Sequence, residues 1–216
     1  MKSIDLQHEN SRFAYVFSFI SGYLDVLGIL AIGGVFLSFM SGNSTRLGIH
    51  LINQEWIEVL RYVLVLISFV LGSFIGNLFC TGSHAQSIKK ILELDILCLV
   101  VALAFQFTTY QTWSFPLRSF AMGIQNKAQV EVNNATIGKG FMTGVLYGIG
   151  EAFARFVRKE TSWHEVSTLI LTWFLFFLGA MTSTCLLCFI NATLALGLIV
   201  GFICFIYLSF CFYHQH

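Results

Sequence analysis

Asp25 is the sole charged residue between Arg12 and Arg46, and it stands inside an apolar run that extends from Phe13 to Gly42. A lone carboxylate in such a run must be protonated, paired or hydrated, because a bare charge in hydrocarbon is costly. The chemistry it offers is proton or cation coupling; the structural alternative is an ion pair with Lys127 or Arg46. Downstream, Asn43, Thr45 and Arg46 follow Phe39-Met40-Ser41-Gly42. A related set recurs later, where Gln125 and Asn126 precede Phe141-Met142-Thr143-Gly144. Amides and hydroxyls at these places could bind a polar solute, or could hydrogen-bond one helix to another. Asp25, Asn43, Arg46, Gln125, Asn126 and Thr143 are therefore the candidates for a substrate or coupling site.

Other polar residues carry less. Glu151 and Arg155, four residues apart, read as a helix-end ion pair. Glu93 and Asp95 with Lys89 and Lys90 read as the charged flank of a spanning helix. All six cysteines lie in or beside apolar runs, and the CxxC pair Cys185–Cys188 has no His or Asp companion, so packing is the expected role. No metal-ligand set, nucleophile elbow, phosphate loop or dinucleotide fingerprint occurs in the sequence. No cofactor and no catalytic residue are expected, and the chain is not read as an enzyme. A net charge of +1 provides no basic field for nucleic acid.

The elements that hold these residues must be membrane helices. The chain is 56% hydrophobic and 11% charged, against about 25% charged in soluble domains. Its mean hydropathy of +0.77 puts more apolar surface on 216 residues than one small core could hide. The lipid bilayer is thus the first expected partner. Five segments are long and apolar enough to span: 13–38, 62–80, 96–115, 166–189 and 193–213. Val166 to Tyr213 contains no charged residue and needs a turn, placed at Asn191-Ala192-Thr193. Residues 1–12 form a polar tail, expected to be cytoplasmic. The run after them exceeds a signal-peptide core and is expected to stay as an anchor, opening a single transmembrane domain over 13–216.

The segment 118–157 is less apolar, and an internal repeat clarifies it. Gly22-Tyr23-Leu24-Asp25, Phe39-Met40-Ser41-Gly42, Leu47-Gly48 and Leu71-Gly72-Ser73 are matched in order by Gly123-Ile124-Gln125-Asn126, Phe141-Met142-Thr143-Gly144, Ile149-Gly150 and Leu178-Gly179-Ala180. The expectation is an all-α, polytopic protein of six transmembrane helices, built from homologous three-span halves at about 13–110 and 118–213. An odd number of spans per half inverts one half relative to the other. With both termini inside, Lys2, Arg12, Lys89, Lys90, Arg155, Arg158 and Lys159 lie on the cytoplasmic side, and Arg46, Arg61 and Arg118 outside. That distribution follows the positive-inside rule. The alternative splits 13–50 and 118–157 into two spans each, giving eight helices and parallel repeats.

Glycines concentrate in those same two stretches. Gly33, Gly34, Gly42 and the ladder Gly140, Gly144, Gly148 could give flat faces for close helix packing. They could equally mark broken or re-entrant first helices whose backbone lines a central site.

The two motif sets, Gly22-Tyr23-Leu24-Asp25 through Arg46-Leu47-Gly48 and Ala121-Met122-Gly123-Ile124-Gln125-Asn126 through Thr143-Gly144, resemble the YoaK family of bacterial membrane proteins. The family's first motif usually has Thr where Ser41 stands, and Glu131 and Lys139 depart from its pattern. The resemblance covers nearly the whole chain. It implies a six-span inner-membrane protein of a family catalogued as domain of unknown function 1275, and supplies no substrate. The functional expectation is a secondary transporter or permease of a small solute, with proton coupling through Asp25. The alternative is a non-transporting membrane subunit or regulator that acts through helix association, including homo-oligomers.

Overall fold

Helix α1 (Lys2–Ala31) carries the polar N-terminal residues and the first apolar run in one element. It stops where Gly33 and Gly34 adopt positive φ, 86° and 92°, a region open to glycine at no steric cost. The expected first span, 13–38, therefore ends at Ala31. The chain then crosses back over α1 at Gly28, where a Cβ would lie 2.3 Å from the Val35 carbonyl oxygen. Helix α2 (Met40–Ile52) follows. Its 13 residues extend about 20 Å, too short for a hydrocarbon layer of about 30 Å.

The computed structural model describes residues 2–109, 113–129 and 142–213, and among these the regular structure is helical. Helix α3 covers Trp56–Phe79 and α4 covers His84–Phe105. Helix α5 (Ser114–Gln125) runs into a 3-10 turn at Asn126–Gln129. Helices α6 (Met142–Val157), α7 (Trp163–Leu187) and α8 (Ala192–Tyr213) complete the chain. The turn between α7 and α8 falls as expected, with the Asn191 side chain accepting the Leu194 amide at 2.9 Å.

The expected span 96–115 is corrected. A capping box of Ser83 and Gln86 starts α4 twelve residues earlier, because it satisfies otherwise orphaned amides at the helix start. The charged cluster Lys89–Asp95 thus lies within the helix rather than flanking it, and the stretch assigned to one span contains the turn to α5. Among the described residues each half has four helices. Four helical segments are long and apolar enough to cross a membrane: Phe13–Ala31, Trp56–Phe79, Trp163–Leu187 and Ala192–Phe212. Helices α2 and α5 are too short to cross as straight spans.

Backbones meet at two crossings, each of which joins one half to the other. A Cβ on Gly22 of α1 would lie 2.0 Å from the Phe176 oxygen of α7, and one on Gly179 of α7 would lie 2.1 Å from the Phe19 oxygen of α1. At the α3–α5 crossing the same holds for Gly72 and the Phe120 oxygen (2.0 Å) and for Gly123 and the Phe69 oxygen (2.2 Å). Any side chain at these four positions would force the helices apart.

The partners also fix directions. Val65 meets Ser119 and Gly76 meets Ile124, so α3 and α5 run parallel. Phe13 meets Phe210, Phe19 meets Phe202, and Tyr23 reaches the Ala195 carbonyl, so α1 runs against α8 and with α7. Ser21 meets Gln125, whereas Asp25 and Ser119 approach each other through Leu37; α1 and α5 are antiparallel. Glu93 meets Tyr207 and Leu103 meets Gly197, so α4 and α8 are antiparallel too.

Polarity is distributed inside-out. Ile57 (78% exposed), Phe205 (68%) and Phe212 (71%) lie on the outer surface. Asp25, Asn43, Asp95, Arg118, Ser119 and Gln125 are buried. An apolar exterior around polar interior groups suits a bilayer and would aggregate in water.

Candidate functional site

In the α1–α2 linker, residues 32–39, the Ile32 and Gly34 amides still close onto Gly28 and Ile29 of α1, and the amides beyond them need other acceptors. Asp25 provides two. Its Oδ1 accepts the Leu37 and Ser38 amides, both at 2.7 Å, and its Oδ2 accepts the Ser38 hydroxyl at 2.7 Å. Asn43 holds the other edge: its Oδ1 accepts the Phe36 amide at 3.0 Å and its Nδ2 donates to the Phe36 carbonyl at 2.7 Å. Two side chains expected to meet a solute thus grip one short stretch of backbone. Among the described residues Asp25 has no ion pair with Arg46 or Lys127. Arg46 is exposed on α2, with its Nη1 3.5 Å from the Tyr62 hydroxyl, which itself donates to the Gly34 carbonyl at 3.3 Å.

A second set of polar groups follows α5 into the interior. Arg118 is 1% exposed; its Nη2 donates to the Ser114 hydroxyl at 3.0 Å, while Nε and Nη1 have no acceptor among the described residues. The Ser119 hydroxyl donates to the Val65 carbonyl at 3.0 Å. Two turns beyond Arg118, Gln125 accepts the Ser21 hydroxyl at 3.3 Å, but its Nε2 has no acceptor. Gln125 faces Asp95 of α4, a fully buried carboxylate whose neighbouring donor is the Gln125 amide and which, among the described residues, has no hydrogen bond of ordinary geometry. At the Arg118 end lies a cavity of about 360 Å³, lined among others by Arg61, Gln106, Arg118, Asn191 and Thr193. It is bordered by α1, α3, α4, α5 and α8, so both halves contribute.

Asp95 and Arg118 are the residues that sequence reasoning missed. Asp95 was read as part of a charged flank, but it lies on the inner face of α4, while Lys89 and Glu93 are exposed and 4.0 Å apart. Arg118, expected among the outer basic residues, is enclosed beneath the α4–α5 turn. Their helical register held the signal: Asp95 shares a face with the buried Ile88, Ile91, Leu92 and Leu99.

The remaining candidates scatter. Asn126 is half-buried at the start of the 3-10 turn, and Thr143 is exposed at the start of α6. Gly33 and Gly34 shape the linker. Gly42 lies under the Phe39 ring, 2.4 Å from where a Cβ would sit. Gly148 has only ordinary contact with Leu169, Gly144 is half-buried, and Gly140 lies outside the described residues. The expected Glu151–Arg155 pair is replaced by Arg155–Glu165 at 2.8 Å, because Glu165 in the first turn of α7 faces α6 while Glu151 is exposed.

A family model described as a protein of unknown function (DUF1275) matches residues 13–209. The chain is 29% identical over 140 residues to the UPF0700 transmembrane protein YoaK of Bacillus subtilis, covering 61% of each chain. It is 29% identical over 166 residues to the UPF0700 transmembrane protein RA0705 of Rhizobium meliloti, covering 76% of this chain and 70% of that one. The chain thus spans about three fifths of the length of the first of these relatives. No solved structure matches.

Proposed function

The chain belongs to the DUF1275 family, together with transmembrane proteins of the YoaK type, and from that premise we propose that it is a small secondary transporter of the bacterial inner membrane. The observation that carries the reading is the row of buried, partly unpartnered polar groups beside α5, enclosed by helices that are apolar outside. Architecture supports it as well. Helices that correspond in the repeat, α1 with α5 and α4 with α8, run antiparallel, and the two glycine crossings exchange partners between the halves. These are features of inverted repeats, where solute sites lie between the halves. In this reading α1, α3, α4, α7 and α8 cross, α5 completes the sixth crossing only together with the 3-10 turn Asn126–Gln129 that continues it, α2 and α6 are re-entrant or interfacial helices, and both termini are cytoplasmic.

Asp95 is assigned the coupling ion. An ionised carboxylate faced by one amide, that of Gln125, outside ordinary hydrogen-bond geometry is costly in an apolar interior; taking up a proton or a small cation removes that cost, and Gln125 stands where it can respond. Asp25, fully occupied by linker amides, braces the fold beside this path.

Two measurements test the proposal. Single cysteines at Gln54, Ser83, Thr109 and Lys159, in a cysteine-free background, are expected to label from outside at Gln54 and Thr109 and from inside at Ser83 and Lys159. Labelling of Ser83 and Lys159 from opposite sides would sink the inverted arrangement. Proteoliposomes under an imposed pH gradient, screened with a solute panel on a solid-supported membrane, are expected to give solute-dependent currents that Asp95→Asn abolishes. With the topology upheld and no solute giving a current, the non-transporting subunit replaces this reading.

A further inference from the structure

We propose that the cavity headed by Arg118 binds a small organic monocarboxylate. A guanidinium keeps its charge under all ordinary conditions, and one enclosed in an apolar bundle needs a counter-charge. Arg118 is 1% exposed, has one hydrogen bond, to Ser114, and keeps Nε and Nη1 without acceptors. Among the described residues no carboxylate pairs with it. Its neighbour on the cavity wall, Arg61, already has one, since Glu58 lies 2.8 Å from the Arg61 Nη1.

The charge balance selects the ligand class. One unmatched positive charge calls for one negative charge, which favours a monocarboxylate over a phosphate dianion. Planar guanidinium groups match planar carboxylates in geometry. A volume of about 360 Å³ falls at the small end of ligand sites. The Asn191 amide nitrogen and the Thr193 hydroxyl can hydrogen-bond a hydroxylated body, the Gln106 amide being engaged by Ser114 at 2.7 Å, and Ile32 offers apolar contact. A phospholipid headgroup also presents an oxyanion, and the test separates the two sources. As a binding site the cavity stands by itself; as the place where a transported solute binds it rests on the transporter reading.

The experiment is isothermal titration of the full chain, purified in a maltoside detergent without phosphate. The probes are linear monocarboxylates of increasing length, succinate and inorganic phosphate. A monocarboxylate is expected to bind more tightly than succinate or phosphate, and Arg118→Gln is expected to weaken it by about tenfold or more. Asn191→Ala at the rim should weaken it by about threefold. The proposal is overturned if no monocarboxylate binds, if Arg118→Gln binds equally well, or if phosphate binds as tightly. Displacement of the carboxylate by phosphatidylglycerol would assign the site to lipid and overturn it too. Should Arg118→Gln not fold, phenylglyoxal modification of the unaltered protein replaces it: carboxylate is expected to slow labelling at Arg118, and unchanged labelling refutes the site. Binding without any flux leaves the site in place and removes the transporter; flux of other solutes without carboxylate binding does the reverse.

Discussion

Two regions of this small protein bring polar side chains into an apolar interior, and they treat them differently. At the α1–α2 linker, Asp25 and Asn43 are matched to backbone donors and acceptors and to the Ser38 hydroxyl at 2.7–3.0 Å. Along α5 and the facing α4, atoms of Arg118, Gln125 and Asp95 are buried without a hydrogen bond of ordinary geometry among the described residues. A buried polar group that is fully bonded contributes to stability, whereas an unbonded one costs about 1–3 kcal/mol and more if charged. The linker therefore has the chemistry of architecture, and the α5 row has the chemistry of a site that keeps bonding capacity for something else. Substitutions at the two regions should accordingly differ in sign, which makes the comparison open to test.

The largest effect is expected at Asp25. Removing its carboxylate with Asp25→Ala leaves the Leu37 and Ser38 amides without acceptors inside the protein, at about 1–3 kcal/mol each. The linker should then detach from α1, and thermal unfolding in detergent should show a loss of several kcal/mol or no folded protein. Asp25→Asn keeps an oxygen for both amides and should lose far less. If the alanine variant were as stable as the parent chain, Asp25 would not be a brace and its role in coupling would reopen.

Next in size are the glycines that let the walls meet. Gly123→Ala puts a methyl 2.2 Å from the Phe69 oxygen, where the neighbour is backbone and cannot turn aside. Overpacking of this kind costs about 1–3 kcal/mol or more, seen as a lowered Tm. Gly148→Ala, with Leu169 side-chain atoms at 3.5 Å and beyond, should be close to neutral. An equal loss at both positions would mean that the α3–α5 crossing is not a privileged contact.

How far the sequence anticipates this arrangement depends on the kind of signal involved. Repeated short motifs survive in the linear order of residues, so Gly22 with Gly123 and Gly72 with Gly179 were visible as pairs before their crossings were known. Runs of apolar residues were equally legible for α1, α3, α7 and α8. Asp25 stood out because nothing charged surrounds it. Asp95 did not, since Lys89, Lys90 and Glu93 precede it and a hydropathy window averages over helix faces. Arg118 was hidden for a related reason: near the end of an apolar segment a basic residue reads as a loop, and only tertiary packing of α4 over α5 encloses it. The linker was legible as a glycine-marked break, but its grip by Asp25 and Asn43 required three-dimensional proximity that spacing does not encode.

On the α5 side of the comparison, Asp95→Asn removes a charge that is faced by the Gln125 amide without a hydrogen bond of ordinary geometry. Its expected effect on stability is nil or favourable, while proton-driven flux in proteoliposomes is lost. The combination matters more than either half. A stable, inactive variant supports a site; an unstable one would show that the Gln125 amide holds Asp95 as a structural partner, and the contrast with Asp25 would collapse.

The smallest effect is also the most pointed, because it uses one residue type in both situations. Ser119 and Ser183 are both fully buried. The Ser119 hydroxyl donates to the Val65 carbonyl at 3.0 Å, bonding α5 to α3, whereas the Ser183 hydroxyl on α7 has no partner. Ser119→Ala should cost about 0.5–1.5 kcal/mol, the net worth of an ordinary buried hydrogen bond. Ser183→Ala deletes an oxygen that gains nothing from its surroundings, and should raise stability by about 1 kcal/mol or less. Thermal unfolding of both variants under one condition reads the difference. Opposite signs would mean that the balance between bonded and unbonded groups governs this interior down to a single hydroxyl; losses of equal size would place an acceptor, or a bound water, beside Ser183.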